Sequence, residues 1–154
     1  MPYTITDMTA AHIEQVHALY TANFSERWSK KSLTEELNND QAITLVALDG
    51  EHVTAFLNAR HVLDEGDINN IAVEPACRQR GLGTLLMQAL FARARQAHIR
   101  SYTLEVRVSN QTAIAFYERL GFQQVGHRKQ YYTNPAEDAL LYRIELDAAH
   151  SASP

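Results

Sequence analysis

The segment Arg78-Gln79-Arg80-Gly81-Leu82-Gly83 stands between a β-rich run, closed by Pro75, and a stretch in which Leu82, Leu85, Leu86, Ala89, Leu90 and Ala97 recur at helical spacing. A strand, a glycine loop and an amphipathic helix in that order restrict the chain to folds in which helices pack on a sheet. The loop also has chemical content. The first turn of a helix leaves backbone N–H groups without partners, and the helix dipole adds partial positive charge. Gly81 and Gly83 lack a Cβ, so an anion can approach the backbone, and Arg78 and Arg80 add charge nearby. A diphosphate is a natural ligand for such a place. A plain glycine turn with two solvated arginines has the same local pattern. Two other phosphate loops are excluded: there is no third glycine for a dinucleotide fingerprint and no Gly-Lys-Ser/Thr for a P-loop.

The rest of the chain supplies a full domain around that unit. Tyr3–Ile5 reads as a strand, and Thr9 caps a helix with Ile13, Val16, Tyr20 and Phe24 near one face. A second helix begins at Ser29, with Trp28 and Leu33 at the spacing of a hydrophobic staple and Leu37 on the same face as Leu33. Ala42–Leu48 and His52–Ala59 are strands joined by the hairpin signal Asp49-Gly50. Asp64-Glu65-Gly66 reads as a turn into the strand Asp67–Val73. After the long helix come a strand at Tyr102–Val108, a helix over Gln111–Leu120 capped by Asn110 and ended by Gly121, and strands near Phe122–Arg128 and Ala139–Leu146. The order β-α-α-β-β-β-α-β-α-β-β mixes hairpins with helical crossovers. It predicts one α/β domain over residues 1–147, a central mixed twisted sheet flanked by helices, with a frayed tail from Ala148 to Pro154.

Composition bounds the function. A chain of 154 residues, 45% hydrophobic and 21% charged, suits one soluble domain. The formal net charge of −4 disfavours nucleic acid as the main partner and favours a cationic one. With Cys77 alone no intrachain disulfide forms, which suits a reducing cytosol. No apolar run approaches the ~20 residues of a membrane span, and no signal-peptide pattern opens the chain. A cytoplasmic protein with no membrane partner, a monomer or weak dimer, is expected. His12 and His17 lie five apart without cysteines, so no metal is expected.

Asn70-Ile71-Ala72-Val73-Glu74-Pro75 followed by Arg78–Gly83 resembles the acetyl-coenzyme A signature of the GCN5-related N-acetyltransferases (GNAT). Leu104-Glu105-Val106-Arg107, then Asn110, then Ala115-Phe116-Tyr117-Glu118-Arg119-Leu120-Gly121-Phe122 resembles the second half of that signature. The element order matches that fold, and the resemblance covers nearly the whole chain. Within the family the chain is most similar to the ribosomal-protein alanine N-acetyltransferases, which modify the N-terminal amine of a small-subunit ribosomal protein. Three further segments carry that likeness: Phe24-Ser25-Glu26-Arg27-Trp28-Ser29, Val62-Leu63-Asp64-Glu65, and Arg128-Lys129-Gln130-Tyr131-Tyr132 with Glu137-Asp138-Ala139. In the first, Glu26-Arg27 separate the Ser from the Trp, and Cys77 replaces an expected aromatic.

The resemblance implies a direct transfer in a ternary complex with acetyl-CoA as cosubstrate. Ile71, Ala72 and Val73 would meet the pantetheine arm, Ile71 and Val73 through their backbone. Gln79, Arg80, Gly81, Leu82, Gly83 and Thr84 would give pyrophosphate N–H groups, and Asn110 would touch the arm while capping its helix. An amide at or near Val73 would stabilise the oxyanion. Glu105 is the candidate base, directly or through water, with burial expected to raise its pKa. The alternative readings are a surface glutamate on an edge strand or a partner of Arg107. Tyr117 is the candidate acid for the thiolate, or else a core aromatic on a stripe with Ala113, Ile114 and Leu120. Trp28, Asp64, Glu65, Tyr131 and Tyr132 are candidates for the acceptor site. A peptide α-amine has a pKa near ~8 against ~10.4 for lysine, so an N-terminus is the easier substrate at neutral pH. Small-molecule amines, protein lysines and a non-catalytic acetyl-CoA-binding module stay open as alternatives. Cys77 is a poor nucleophile, since no His-containing pattern flanks it.

Overall fold

The computed structural model describes residues 2–24 and 28–146. The tail from Ala148 and the segment Ser25-Glu26-Arg27 lie outside them. Among the described residues β1 (Thr4–Asp7), β2 (Ala42–Asp49), β3 (His52–Val62), β4 (Glu65–Val73), β5 (Ser101–Arg107), β6 (Gln123–Tyr132) and β7 (Glu137–Glu145) form one sheet in the order β1-β2-β3-β4-β5-β7-β6. All neighbours are antiparallel except β4 and β5, which are parallel. That single parallel pair follows from the α3 crossover between its strands, and hairpins make β2–β3, β3–β4 and β6–β7 antiparallel. The mixed sheet and the element order stand as the sequence predicts.

Helices α1 (Ile13–Asn23) and α2 (Lys30–Glu36) cover one face of the sheet. Val16, Leu19, Tyr20 and Leu33 bury there against Val46, Phe56 and Ala72. Helices α3 (Leu82–Gln96) and α4 (Gln111–Leu120) cover the other, against Leu45, Ala55, Leu57, Tyr102 and Leu104. The caps behave as the residue types demand: Ser29 Oγ accepts from Ser32 N at 3.0 Å, and Gly121 ends α4 with φ +106°.

Four expectations are corrected. β4 begins at Glu65 and the turn is Leu63-Asp64, with Leu63 at φ +55°. Gly66 belongs to the strand, because the Tyr102 ring occupies the space its Cβ would take. α3 buries Leu82, Leu86, Leu90 and Ala94 with Met87 and Phe91, while Leu85 is 39% exposed and Ala97 lies beyond the helix end. The face is turned by Phe91, whose ring meets Tyr102 and Phe122 at 6.5 and 6.4 Å. β1 lies at Thr4–Asp7 rather than Tyr3–Ile5, and β6 runs on to Tyr132.

One residue breaks the pleat of β4. Arg60 opposes Asp67 and Ala59 opposes Ile68, but Asn58 opposes Asn70. Asn69 is therefore an extra residue, a β-bulge, and beyond it every residue of β4 exchanges its direction. Asn69 Nδ2 donates to Asn58 Oδ1 at 3.2 Å, and Asn58 Nδ2 donates to Glu36 Oε2 at 2.9 Å and Thr44 Oγ1 at 2.8 Å. Arg60 completes the group with bonds of 2.8 and 2.9 Å to both Glu36 oxygens. Burial pushes the Glu36 carboxyl up, but the bonds from Arg60 and Asn58 outweigh it and hold the group below its ordinary value. A carboxyl depressed in the folded state stabilises fully above its unfolded pKa of about 4.3 and loses that contribution as pH falls through the folded value. Glu36→Ala should cost about 2 kcal/mol at pH 7, because it strips Asn58 and Arg60 of their acceptor. The deficit should shrink below pH 4, as denaturant unfolding at both pH values will show.

Candidate functional site

β4 and β5 pair only at Glu65–Ser101, Gly66–Tyr102 and Asp67–Thr103. Above the third pair a hydrogen bond from Thr103 Oγ1 to Asp67 Oδ1 closes the crotch, and the strands part. The gap is a cleft of about 740 Å³. The bulge decides what it shows. Glu74 N donates to Thr54 O at 2.8 Å, so Glu74 and Ala72 turn their backbone groups toward β3. Ile71 and Val73 therefore turn theirs into the cleft, and both residues line it. Ala72 also borders the cleft, but its polar backbone is committed to β3 and its side chain to the core under α1.

The glycine loop forms the other end of the cleft. Gln79 and Gly81 have φ of +63° and +80°, the left-handed region that frees Gly81 to serve as N-cap of α3. Among the described residues no acceptor is hydrogen-bonded to the amides of Gln79 through Thr84. A run of unsatisfied donors at the start of a helix about 22 Å long is an anion site. Gly83 has a packing part besides the one expected. A Cβ there would stand 3.0 Å from Phe116 Cζ, so its absence lets α4 pack against the start of α3. The arginines are corrected too. Arg78 Nε donates to Val73 O at 3.1 Å and its Nη2 to Asn23 Oδ1 at 3.1 Å, which ties the loop to β4. Arg80 turns away to the Tyr3 hydroxyl, and Leu82 is buried, so each can serve only through its amide.

Asn110 Oδ1 accepts from Ala113 N at 3.1 Å, capping α4 at the cleft wall. Tyr117, seven residues on, is 8% exposed, lines the cleft, and has no hydrogen bond to its phenol among the described residues. Burial, with a smaller contribution from Tyr132, pushes that phenol up to about 12. Tyr117 reaches the gap from the α4 side. Glu105 reaches it from the opposite face, since its neighbours Leu104 and Val106 point into the α3–α4 core. The expected burial of Glu105 is not found: its side chain is 34% exposed. Tyr131 donates to Glu105 Oε1 at 3.1 Å, and Arg128 Nη1 stands 3.8 Å from Oε2. Arg107 is not its partner. It binds Glu137 at 3.1 Å and the Thr133 and Pro135 carbonyls, and lies 4.4 Å over the Tyr132 ring. Tyr131 and Tyr132, with centroids 5.1 Å apart, thus form a wall braced by two arginines.

The remaining acceptor candidates stand apart from the gap. Trp28 packs edge-on against Tyr20 at 5.4 Å, while Asn23 and Phe24 reach the cleft instead. Asp64 and Glu65 lie at the hairpin tip, below the crotch, where Glu65 takes Arg143 at 3.3 Å. Ser101, the partner of Glu65, is four residues from Glu105, or about 13 Å along the strand. Asn69, Asn70 and Phe116 line the cleft without having been singled out. Only Asn70 and Phe116 fell inside a recognisable motif, and no periodicity marks a bulge residue. Among the described residues no group of three His, Cys, Asp or Glu could hold a metal, and no helix is long and apolar enough to cross a membrane.

Comparison with known proteins adds the following. Residues 13–122 match the Acetyltransferase (GNAT) family. The [ribosomal protein bS18]-alanine N-acetyltransferase of Escherichia coli (strain K12) is 34% identical over 145 residues, covering 92% of this chain and 93% of that protein. The protein of the same name from Haemophilus ducreyi is 36% identical over 124 residues, covering 77% and 83%. The crystal structure of the ribosomal-protein-S18-alanine N-acetyltransferase from Escherichia coli superposes with a TM-score of 0.86, at 28% identity and covering 99% of each chain.

Gly83→Val should force Phe116 and the start of α3 apart. Diphosphate-ligand affinity, followed by calorimetry with coenzyme A, should fall at least tenfold, about 1.4 kcal/mol. Gly81→Ala should keep the spacing of the helices and lose only about 1 kcal/mol of stability to its positive φ.

Proposed function

The chain belongs to the GNAT family of acetyltransferases, and from that premise we propose that it moves the acetyl group of acetyl-CoA to the N-terminal alanine amine of a small-subunit ribosomal protein. The observation that carries the reading is the parted pair β4 and β5, with free amides at one end and Tyr117 and Glu105 on opposite sides of the gap. The residues suit acetyl-CoA. The amides of Gln79–Thr84 would take its pyrophosphate, Ile71 and Val73 would pair with the amides of its pantetheine arm, and Asn110 would close over the arm. When bound, it supplies the activated acyl group.

The chain's own residues then have three tasks. The incoming α-amine must lose a proton. Its pKa near ~8 makes that easy at neutral pH, so an exposed carboxylate working through a water suffices, and Glu105 occupies the open face from which a peptide can approach. The leaving thiolate must gain a proton. Tyr117 keeps its own until about pH 12, so it is fully protonated at working pH and can donate where the cleft is dry. The developing oxyanion needs a donor, and the Ile71 amide, the first above Asn69 to turn toward the cleft, faces the gap. The Tyr131–Tyr132 wall is assigned to the acceptor peptide. Trp28 acts at one remove, packing on Tyr20 beside the cleft-lining Phe24, and Asp64 and Glu65 take no part. The same reading places the enzyme in the cytoplasm, where its substrate is made.

The acceptor is tested by mass spectrometry of peptides incubated with enzyme and acetyl-CoA. Basic peptides starting with alanine should gain one acetyl group on the α-amine; acetylation of polyamines alone would overturn the assignment. Tyr117→Phe should lower kcat more than tenfold with little change in cofactor affinity. Glu105→Gln should slow turnover at pH 7, with the residual rate climbing through about pH 8 as the amine deprotonates unaided. A variant with the wild-type profile removes Glu105 as base.

A further inference from the structure

Asp67 and Thr103 are the last paired residues of β4 and β5, joined through their side chains on the face that carries α1 and α2. On β5 the next residue on that face is Glu105. On β4 it is Asn69, which the bulge leaves on the same side, bonded to Asn58 beneath α2. Asn69 and Glu105 therefore flank the mouth of the gap, one step above the crotch, and both line the cleft.

The polarity of the Asn69 amide follows from a chain of hydrogen bonds. A carboxylate can only accept, so Glu36 requires the NH₂ end of Asn58. That leaves Asn58 Oδ1 pointing at β4, where it requires the NH₂ end of Asn69. Asn69 must then turn its carbonyl oxygen elsewhere, and no donor among the described residues takes it. Glu36 is buried and locked by Arg60, so the orientation is set well away from the cleft. The result is an acceptor of fixed polarity, Asn69 Oδ1, turned away from Asn58 on the sheet face that also carries the Glu105 carboxylate.

We infer that Asn69 is an acceptor-binding residue: its Oδ1 receives one N–H of the incoming amine while Glu105 serves another, and Glu36 fixes the amide through Asn58. The assignment rests on the acyl-transfer reading above and extends it to the amine. Two hydrogen-bond acceptors at the mouth point the nitrogen lone pair inward, toward the acyl carbon, while its N–H groups face out. A primary amine fits this arrangement; a tertiary amine, with no N–H to give once neutral, does not.

The test compares Asn69→Ala and Glu36→Gln with the wild type, using steady-state kinetics on the peptide and calorimetry with coenzyme A. Asn69 is exposed, so Asn69→Ala should fold, with Tm lowered only by the loss of the donor to Asn58 Oδ1. It should lower kcat/KM for the acceptor about tenfold, the value of one well-placed hydrogen bond, with coenzyme A affinity within twofold of wild type. Glu36→Gln frees Asn58 to turn over and should give a smaller loss in the same direction. An unchanged kcat/KM in Asn69→Ala overturns the inference. So does a parallel fall in coenzyme A affinity, which would make Asn69 a brace for the bulge alone. The wild-type rate on the alanine peptide reports the proposed acceptor by itself. The ratio of variant to wild type, taken on whichever amine is turned over, reports Asn69.

Discussion

Two parallel strands that stay paired consume each other's amides and carbonyls. β4 and β5 stop doing so after Asp67 and Thr103, and the remaining organisation of the site depends on that parting. A wedge between strands leaves main-chain donors and acceptors facing a slot, where a ligand carrying amides can take the place of a neighbouring strand. The bulge at Asn69 selects which groups face the slot. Without the extra residue, Asn70 and Ala72 would present their backbones there; with it, Ile71 and Val73 do. The loop extends the same logic past the strand end. Arg78 grips the Val73 carbonyl, and the unpaired amides of Gln79 to Thr84 continue the line of donors into α3.

The two faces of the sheet divide the chemistry. On the α3–α4 side the gap is closed by apolar packing, and Tyr117 is held there with its proton retained to about pH 12. On the other side the gap is open, and Glu105 stands among Tyr131, Arg128 and solvent. A dry acid on one side and a wet carboxylate on the other suit a reaction that needs a proton given inward and one taken outward. Buried Glu36 and Asn58, clamped by the exposed Arg60, anchor α2 and the bulge at once.

Local rules recovered most of the frame. Ser29, Asn110 and Gly121 announced their caps, Asp49-Gly50 its hairpin, and the alternation of strands and helices the mixed sheet. The misplacements have a common cause: they depend on what lies opposite in space. Gly66 looked like a turn residue because the Tyr102 ring that needs its space is distant in sequence. Gly83 looked like an anion seat alone, and that Phe116 also needs the space of its missing Cβ had no local signal. Leu85 fits a helical stripe as well as Met87 does, and only Phe91 and its aromatic neighbours decide which is buried. Glu105 was placed on the right strand and beside the cleft, yet its exposure depends on α1 and α2 stopping short of β5. Asp64 and Glu65 were acidic and near a motif, but strand direction carries them away from the gap. Asn69 had no local signal, since a bulge is a property of two strands in register.

The claim on which the rest stands is that the parted strands and the loop amides form one continuous surface for acetyl-CoA. Amide hydrogen exchange, followed residue by residue with and without acetyl-CoA, tests it directly. The account predicts slowed exchange at Ile71, Val73 and Gln79 through Thr84, with Ala72 unchanged because its N–H is already bonded to β3. Protection confined to other parts of the chain, or equal protection of Ala72 and its two neighbours, would contradict it.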